Sequence, residues 1–217
     1  MLSASVEDYT KGIYALESRH GVASTTSLAE RLGVSAPAVS AMVKKLDSLG
    51  YVSHVPYRGV RLTAQGKRVA LEVLRHHRLL ETFLVEELGL SWDSVHAEAE
   101  VLEHVLSEGL EARIAAKLGE PTRDPHGDPI PATDGSFVEA PSVSLGELEP
   151  GARGIFVRVS DSDPAVLREL AERGIRPGDA VEVVKARPAT RIRCSAKSHL
   201  LRAELARAMR VTVEEKR

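Results

Sequence analysis

The stretch HAEAEVLEH, residues 96–104, gathers two histidines and three glutamates within nine residues. If this stretch is one helix, at about 100° per residue, His96, Glu100, Glu103 and His104 fall within an arc of about 100°. Apolar residues fill the sector beside this arc, namely Val95, Ala99, Leu102 and Leu106. A carboxylate that borders a buried face is costly unless a positive charge accompanies it. The spacing therefore predicts a site for a divalent metal ion.

A second pair of candidate ligands lies upstream, where His77 and Glu81 are four residues apart and share one face of a predicted helix. Oxygen and imidazole donors without thiolate or thioether suit Mn²⁺, Fe²⁺ or Zn²⁺, and hard oxygen donors favour Mn²⁺. The alternative interpretation is a solvated helix face with ordinary surface histidines. A metal-dependent hydrolase is a further hypothesis, but the sequence has no HExxH motif, no recognisable nucleophile motif and no phosphate-binding glycine loop. We therefore expect a metal-binding protein that is not an enzyme.

The N-terminal third has the capping residues and the helix-ending glycine that are typical of a helix-turn-helix. Residues 5–18 have apolar positions spaced for one face of a helix. In the segment that follows, Thr26 or Ser27 can cap a short helix that Gly33 ends, and Ser35 can cap the next one. The second helix of such a unit enters the major groove of DNA by its N-terminal end.

This reader helix begins with small residues, which permit a close approach to base edges, and continues with two lysines that can bind phosphate. A β-rich hairpin, or wing, is predicted over residues 51–63 with a basic tip that can reach phosphate or the minor groove. The predicted DNA contacts are Ser35, Pro37, Ala38, Ser40, Ala41, Lys44, Lys45 and Arg58. Because no Arg or Asn stands at the start of the helix, shape and phosphate contacts should carry much of the affinity. A winged helix that contacts only proteins is the alternative.

Composition is ordinary for a globular protein of two or three domains, with 217 residues, 43% hydrophobic residues and a net charge of −2. The charge is unevenly distributed, since residues 35–78 carry eight Lys or Arg and two acidic residues, whereas residues 81–120 carry two basic and ten acidic ones. The single cysteine, Cys194, leaves no partner for an intrachain disulfide and suits a reducing compartment. With no recognisable signal peptide and no apolar run of about 18 residues, we expect a cytoplasmic protein without a membrane partner.

The C-terminal third is predicted to be a small β-rich module. Residues 121–142 contain five prolines and two glycines, which is typical of a linker. Beyond them, β-like runs at 154–160 and 180–186 flank a short helix that Asp163 can cap, and residues 209–213 predict a final strand. The chain is thus expected to be mainly α with β, in three domains: a winged-helix DNA-binding domain at 1–73, a helical metal-binding and dimerisation domain at 74–140, and the β module at 141–217.

Five motifs occur in order along the chain: VEDYTKGIYAL, SAPAVSAMVKKL, HRLLETFL, HAEAEVLEH and DPHGDPIP. Together they resemble the diphtheria-toxin-repressor family of metal-dependent transcriptional regulators, over nearly the whole chain. The resemblance implies that the C-terminal module is an SH3-like (FeoA-like) domain. It also implies a homodimer, for which the apolar helices around 79–106 and 110–118 offer an interface.

The resemblance implies two metal sites. The regulatory site would use Asp8, Glu100, Glu103 and His104, and the ancillary site would use His77, Glu81 and His96. In iron-sensing members, the positions of Asp8 and Glu100 look like Met and Cys. Here both are carboxylates, as in the manganese-sensing branch of the family.

The chain departs from the family pattern at two places. Short manganese regulators carry an acidic residue where this chain has Lys11, so a closely paired two-manganese cluster is not expected here. Long members donate a Glu and a Gln from the third domain to the ancillary site. The matching positions here are Asp163 and Val166, of which only Asp163 could serve as a ligand.

The expected function is therefore a metal-dependent repressor that prefers Mn²⁺, with an Fe²⁺-dependent repressor of the same family as the alternative. Co²⁺ or Zn²⁺ can be expected to substitute in vitro. The expected partners are a near-palindromic double-stranded operator of metal-uptake genes and a second copy of the chain, without a small organic substrate. A metal-independent winged-helix repressor, in which residues 96–104 form only a charged helix face, is a further alternative.

Overall fold

The computed structural model describes residues 2–55, 59–161, 163–186 and 189–213. The chain divides into two compact units. The first contains Met1–His77, Val101–Glu111 and Pro131–Ser136, and the second contains Arg78–Glu100, Ala112–Ile130 and Phe137–Arg217. Within the described ranges, no helix combines the length and the apolar character that a bilayer-spanning segment needs.

The first unit begins with three helices, α1 at Ala4–His20, α2 at Thr25–Leu32 and α3 at Ala36–Ser48. The cap of α2 is Ser24, whose hydroxyl accepts a hydrogen bond from the Ser27 amide at 3.0 Å, and not Thr26 or Ser27 as the sequence suggested. Gly33 ends this helix with a left-handed φ of 65°, as predicted.

A wing follows the three helices. Strands β1 (Val52–Val55) and β2 (Gly59–Leu62) pair in antiparallel register, with Val52 opposite Leu62. The apolar faces of the helices and of the wing pack into one core, whose fully buried members include Ile13, Leu28, Val39, Leu46 and Val60. The predicted tip residue, Arg58, lies outside the described residues.

Helix α4 is the longest helix, running from Ala64 to Glu86. The hydroxyl of Thr63 caps it by accepting a hydrogen bond from the Gly66 amide at 3.1 Å. Two shorter helices follow, α5 at Val95–Leu102 and α6 at Glu108–Lys117.

The prediction that residues 96–104 form one helix was wrong at its end. Because α5 stops at Leu102, Glu103 and His104 lie in the turn that follows, and Leu102 itself is 37% exposed rather than buried. Val95 and Ala99, earlier in the same helix, are fully buried as expected. The two ligand-type residues that the helical spacing placed on one arc are therefore positioned by a turn.

The second unit contains a six-stranded antiparallel sheet with strand order β3-β8-β4-β5-β6-β7. The strands are β3 (Val143–Ser144), β4 (Arg153–Val159), β5 (Ala180–Lys185), β6 (Thr190–Cys194), β7 (Lys197–Leu201) and β8 (Met209–Val213). Two helices accompany them, α7 at Pro164–Glu172 and α8 at Ala203–Ala208. Phe156, Leu167, Ile192 and Leu205 lie in its core, and Trp92, from the segment between α4 and α5, packs with them.

The predicted linker is structured over its first part. Asp124 and His126 are buried, and the Asp124 carboxylate accepts hydrogen bonds from the amides of His126 and Asp128, both at 2.9 Å. Gly127 has a φ of 87°, and a Cβ atom there would lie 1.9 Å from the carbonyl oxygen of Val157. The loop can therefore approach β4 this closely only because residue 127 is a glycine. The predicted class, mainly α with a small β module, is confirmed, while the three domain boundaries stay a prediction.

Candidate metal centres and DNA-reading helix

The first unit brings Asp8, Glu103 and His104 together, and we call these three residues the regulatory cluster. Each offers a donor atom, and the donor atoms lie within 4.8 Å of one another. Nε2 of His104 lies 3.0 Å from a carboxylate oxygen of Asp8 and 3.6 Å from Oε1 of Glu103. The Glu103 side chain has no exposed surface, so its charge needs a cationic or hydrogen-bonding partner inside the protein.

Two neighbouring side chains orient the regulatory cluster. Nδ1 of His104 donates to Oε2 of Glu7 at 2.6 Å, which leaves Nε2 directed at Asp8 and Glu103. Nδ1 of His77 lies 2.5 Å from Oε2 of Glu103. Outer partners of this kind fix the tautomer of a ligating histidine and the direction of a ligating carboxylate.

The turn that carries the cluster is itself held to α4. His76 bridges the main-chain carbonyl of Glu103, 3.2 Å from its Nδ1, and the carboxylate of Glu111, 3.1 Å from its Nε2. Arg75 completes this buried network with a 2.5 Å contact to Glu111 and a 2.8 Å hydrogen bond to the carbonyl of Pro131. The turn at Glu103 is thus positioned by side chains as well as by the end of α5.

Lys11 is a third partner of the regulatory cluster. Its ammonium lies 2.5 Å from Oε1 of Glu103. The Lys11 side chain is 14% exposed, so most of it is covered by protein.

The second unit gathers a larger set of ligand-type residues, which we call the ancillary cluster. Its members are Glu81, His96, Asp124, His126 and Asp161. Nδ1 of His96 lies 3.1 Å from Asp161 and 3.3 Å from Glu81. On its other oxygen, Glu81 lies 3.6 Å from Nδ1 of His126. Glu81 is thus the common member between the two histidines.

The His126 ring of the ancillary cluster directs one nitrogen away from its backbone partner. Nε2 of His126 donates to the Trp92 carbonyl at 2.7 Å, so Nδ1 is the ring atom left to bind a proton or a cation. This Nδ1 atom is buried and has no hydrogen-bond partner among the described residues. A buried polar atom without a partner is costly, and a divalent cation placed between it and Glu81 would remove that cost.

The ionisation of the ancillary cluster reflects its crowded carboxylates. The hydrogen bonds to Asp161 and Glu81 raise the pKa of His96 to about 10. Burial alone would lower the pKa of His126, but Glu81 and Asp124 raise it to about 9. Burial raises the pKa of Asp124 to about 8, and the carboxylates around it act in the same direction. Protons therefore supply the positive charge that this arrangement of acids demands, which a metal ion could supply instead.

The structure places Asp161, and not Asp163, beside His96. Oδ1 of Asp163 accepts hydrogen bonds from the amides of Ala165 and Val166, which makes it the cap of α7 as predicted. Asp161 lies 3.1 Å from His96, and although burial opposes the shift, the hydrogen bond with His96 lowers the pKa of Asp161. The carboxylate that the third domain offers is thus two residues from the predicted one.

Two other predicted ligands, Glu100 and His77, have close contacts within their own units. Glu100 belongs to the second unit, where it lies 3.7 Å from His96 on the next turn of α5. His77 belongs to the first unit and contacts Glu103, as described above. Their assignment to particular metal ions stays a prediction.

Sequence reasoning missed Glu7, Asp124, His126 and Asp161. Glu7 directly precedes Asp8 on α1, and only the direction of the His104 ring reveals its role. Asp124 and His126 lie within DPHGDPIP, where the density of prolines and glycines favours a linker on sequence grounds. The signal in the sequence was a histidine with an aspartate two residues to either side, Asp124 and Asp128.

The reader helix α3 has the division of faces that DNA binding requires. Val39, Val43 and Leu46 are buried in the core, and all seven predicted contacts on and just before this helix are exposed, namely Ser35, Pro37, Ala38, Ser40, Ala41, Lys44 and Lys45. The hydroxyl of Ser35 accepts from the Ala38 amide at 3.4 Å, and that of Ser40 donates to the Ala36 carbonyl at 3.0 Å. Both hydroxyls thus have backbone partners, and the assignment of these residues to bases or phosphates stays a prediction.

Known families and proteins resemble this chain along almost its whole length. Residues 1–60 match the N-terminal DNA-binding domain of iron-dependent repressors, residues 63–132 match their metal-binding and dimerisation domain, and residues 143–213 match the FeoA domain. The iron-dependent repressor IdeR of Mycobacterium leprae is 36% identical over 192 residues, which cover 82% of this chain and 83% of IdeR. The diphtheria toxin repressor of Corynebacterium diphtheriae is 32% identical over 196 residues, covering 83% and 84% of the two chains.

A solved structure of a manganese-dependent transcriptional repressor in complex with manganese has a TM-score of 0.87 to this chain. It is 42% identical, and the alignment covers 96% of this chain and all of the other. The domains, the reader helix and the carboxylate–imidazole clusters place the chain in the class of metal-dependent transcriptional repressors, which are regulators and not enzymes. Within that class, it belongs to the diphtheria-toxin-repressor family of iron-dependent repressors and their manganese-dependent relatives.

Proposed function

We propose that this chain is a Mn²⁺-dependent repressor, which binds near-palindromic operators of metal-uptake genes as a metal-loaded homodimer. The observation that carries the choice of metal is the donor set of the regulatory cluster. Asp8, Glu103 and His104 offer only oxygen and nitrogen atoms. Such a set favours Mn²⁺ over metals that prefer sulfur ligands. The sole cysteine, Cys194, supplies no thiolate to this cluster, since it is buried in the core of the second unit.

The regulatory cluster connects two separate parts of the first unit. Asp8 lies near the start of α1, which packs against α2 and the wing, while Glu103 and His104 lie in the turn after α5. A cation bound there supplies the positive charge that lets both carboxylates face one another. Asp8, Glu103 and His104 then hold α1 and the turn in a single arrangement, and DNA binding is favoured to the extent that this arrangement binds metal more tightly. Coupling of about 1–3 kcal/mol is typical of such linkage.

The proposed dimer interface is the apolar surface next to the regulatory cluster. Val101 is 70% exposed, Val105 is 72% exposed and Leu110 is 50% exposed. Exposed apolar residues this close together in sequence favour a protein partner. A second copy of the chain would cover them and present two α3 helices to the half-sites of a near-palindromic operator.

The test is operator binding at buffered free concentrations of Mn²⁺, Fe²⁺, Co²⁺ and Zn²⁺, at one stated salt concentration. For each metal, the activating free concentration is compared with the concentration available in the cell, and we expect this ratio to be lowest for Mn²⁺. We expect Asp8→Ala to abolish activation without loss of helical content. Glu100→Ala, measured in parallel, tests the assignment of Glu100 to the regulatory site. Operator binding that is unchanged by chelator and by Asp8→Ala would refute metal-dependent repression through this cluster.

Fe²⁺ is the second candidate. The relative IdeR, which is 36% identical, is by name an iron-dependent repressor, and this favours Fe²⁺. Fe²⁺ also accepts carboxylate and imidazole ligands. Anaerobic operator binding that responds to Fe²⁺ at lower free concentrations than to Mn²⁺ would decide for iron.

A further inference from the structure

We propose that Lys11 is a built-in competitor of the metal ion, whose ammonium occupies a carboxylate oxygen of Glu103 that the ion needs. This inference rests on the regulatory cluster proposed above. Lys11 lies on α1, three residues after Asp8 and four after Glu7, so it belongs to the same end of the helix as both. Its Nζ lies 2.5 Å from Oε1 of Glu103.

Lys11 contacts the oxygen of Glu103 that a metal ion in the regulatory cluster would use. Oε1 of Glu103 faces the regulatory cluster, since it lies 3.6 Å from Nε2 of His104, while Oε2 contacts His77 at 2.5 Å. Both oxygens of this buried carboxylate therefore have a donor in contact. An ion that coordinates Oε1 must displace the ammonium or bind beside it, and both alternatives weaken binding, through a lost ion pair or through repulsion between like charges.

The Lys11–Glu103 pair differs from an ordinary surface salt bridge because it is buried. The Glu103 side chain has 0% of its surface exposed and that of Lys11 has 14% exposed, so solvent screens their attraction only weakly. Glu103 without any cation would carry an uncompensated buried charge, and Lys11 supplies the compensation when no metal is bound. The lysine thus stabilises the metal-free protein and at the same time raises the metal concentration at which the cluster fills.

Lys11, which is not a ligand, thus sets the metal concentration at which the regulatory cluster fills. Removing the ammonium should destabilise the metal-free protein and tighten metal binding, because the ion then supplies the positive charge at Oε1 of Glu103 that Lys11 no longer provides. A purely structural salt bridge predicts the opposite for affinity, since loss of the pair would loosen the turn that carries Glu103 and His104.

The experiment compares Mn²⁺ binding to the wild type, Lys11→Met, Lys11→Gln and the control Lys67→Met, which removes the same charge from an exposed position on α4. Free Mn²⁺ is followed by electron paramagnetic resonance, and the binding event that Asp8→Ala removes identifies the regulatory cluster. We expect Lys11→Met to bind Mn²⁺ there about tenfold more tightly, as loss of a close like charge would produce. Lys11→Gln, which keeps a hydrogen-bond donor, should show the same direction, and Lys67→Met should match the wild type.

Thermal melting gives an independent readout. Lys11→Met should melt below the wild type without metal, and Mn²⁺ should raise its melting temperature by more than it raises that of the wild type. If Asp8→Ala removes a binding event but neither Lys11 variant binds more tightly, the competitor role is wrong while the regulatory cluster stands. If Asp8→Ala leaves Mn²⁺ binding unchanged, the regulatory cluster itself is wrong and the role of Lys11 falls with it.

Discussion

Nδ1 of His104 lies 2.6 Å from Oε2 of Glu7, so the residue that precedes Asp8 on α1 orients the imidazole of the regulatory cluster. With its Nδ1 proton directed at a carboxylate, the ring keeps Nε2 as its electron-pair donor, and that atom faces Asp8 at 3.0 Å. Asp8 and Glu7 thus act on opposite nitrogens of one histidine.

Glu7→Ala should weaken Mn²⁺ binding at the regulatory cluster by about 10–100-fold, the usual effect of losing an outer partner of a ligating histidine. The measurement is the binding titration described above, with Glu30→Ala on the exposed face of α2 as the control for loss of one negative charge. Equal affinities for Glu7→Ala and wild type would show that the ring is held by other contacts.

Residue types and spacing made Glu103 and His104 candidates, even though the helical geometry assumed for them was wrong, whereas Asp8 was expected only from the resemblance to the family. A helix that stops at Leu102 leaves no trace in the periodicity, since the turn after it preserves a similar order of polar and apolar residues. The winged helix-turn-helix was predictable in its parts because capping residues and glycines mark each boundary locally.

The ancillary cluster could not be assembled from sequence alone, because its members come from four separate segments. Glu81 and His96 lie on α4 and α5, Asp124 and His126 in a loop, and Asp161 just after β4. Asp161 lies beside His96, whereas Asp163, two residues later, caps α7. Such long-range placement depends on tertiary packing, which local patterns do not encode.

Asp161→Ala and Asp163→Ala should separate metal binding from helix capping. Trp92 is the only tryptophan of the chain, and its ring stacks on that of His126 with centroids 5.8 Å apart. Its fluorescence should therefore report Mn²⁺ binding at the ancillary cluster. We expect Asp161→Ala to weaken the Mn²⁺-dependent quenching, and Asp163→Ala to leave it intact while lowering the free energy of unfolding by about 1 kcal/mol through loss of the cap of α7. Weaker quenching in Asp163→Ala alone would restore Asp163 as the ligand.

Gly127→Ala and Gly151→Ala form a matched pair for the loop that carries Asp124 and His126. Both glycines have a φ of 87°, but an added Cβ at Gly127 would lie 1.9 Å from the Val157 carbonyl oxygen, whereas nothing lies within 4 Å at Gly151. Gly151→Ala should cost about 1 kcal/mol of unfolding free energy for the strained backbone alone. Gly127→Ala should cost roughly 1–3 kcal/mol more, because the loop must move away from β4.

Urea unfolding measures the cost of the two glycine substitutions, and quenching of Trp92 by Mn²⁺ follows the site. We expect the ancillary cluster to bind Mn²⁺ more weakly in Gly127→Ala and normally in Gly151→Ala. Equal stability of the two variants would mean that the close approach of the loop to β4 adds no cost to that of placing alanine at a positive φ.

Asp8→Met should shift the metal preference of the regulatory cluster from Mn²⁺ toward Fe²⁺. A thioether replaces a hard anionic oxygen, and the cost of that exchange is larger for Mn²⁺, which depends more strongly on oxygen donors. We expect the ratio of Fe²⁺ to Mn²⁺ affinity to rise about tenfold, equivalent to about 1.4 kcal/mol. Asp8→Asn is the control, because it removes the charge but keeps an oxygen donor, and should weaken both metals without a comparable change in their ratio. Anaerobic titrations in which Asp8→Met and Asp8→Asn give the same ratio would show that charge, and not the softness of the donor, sets the preference.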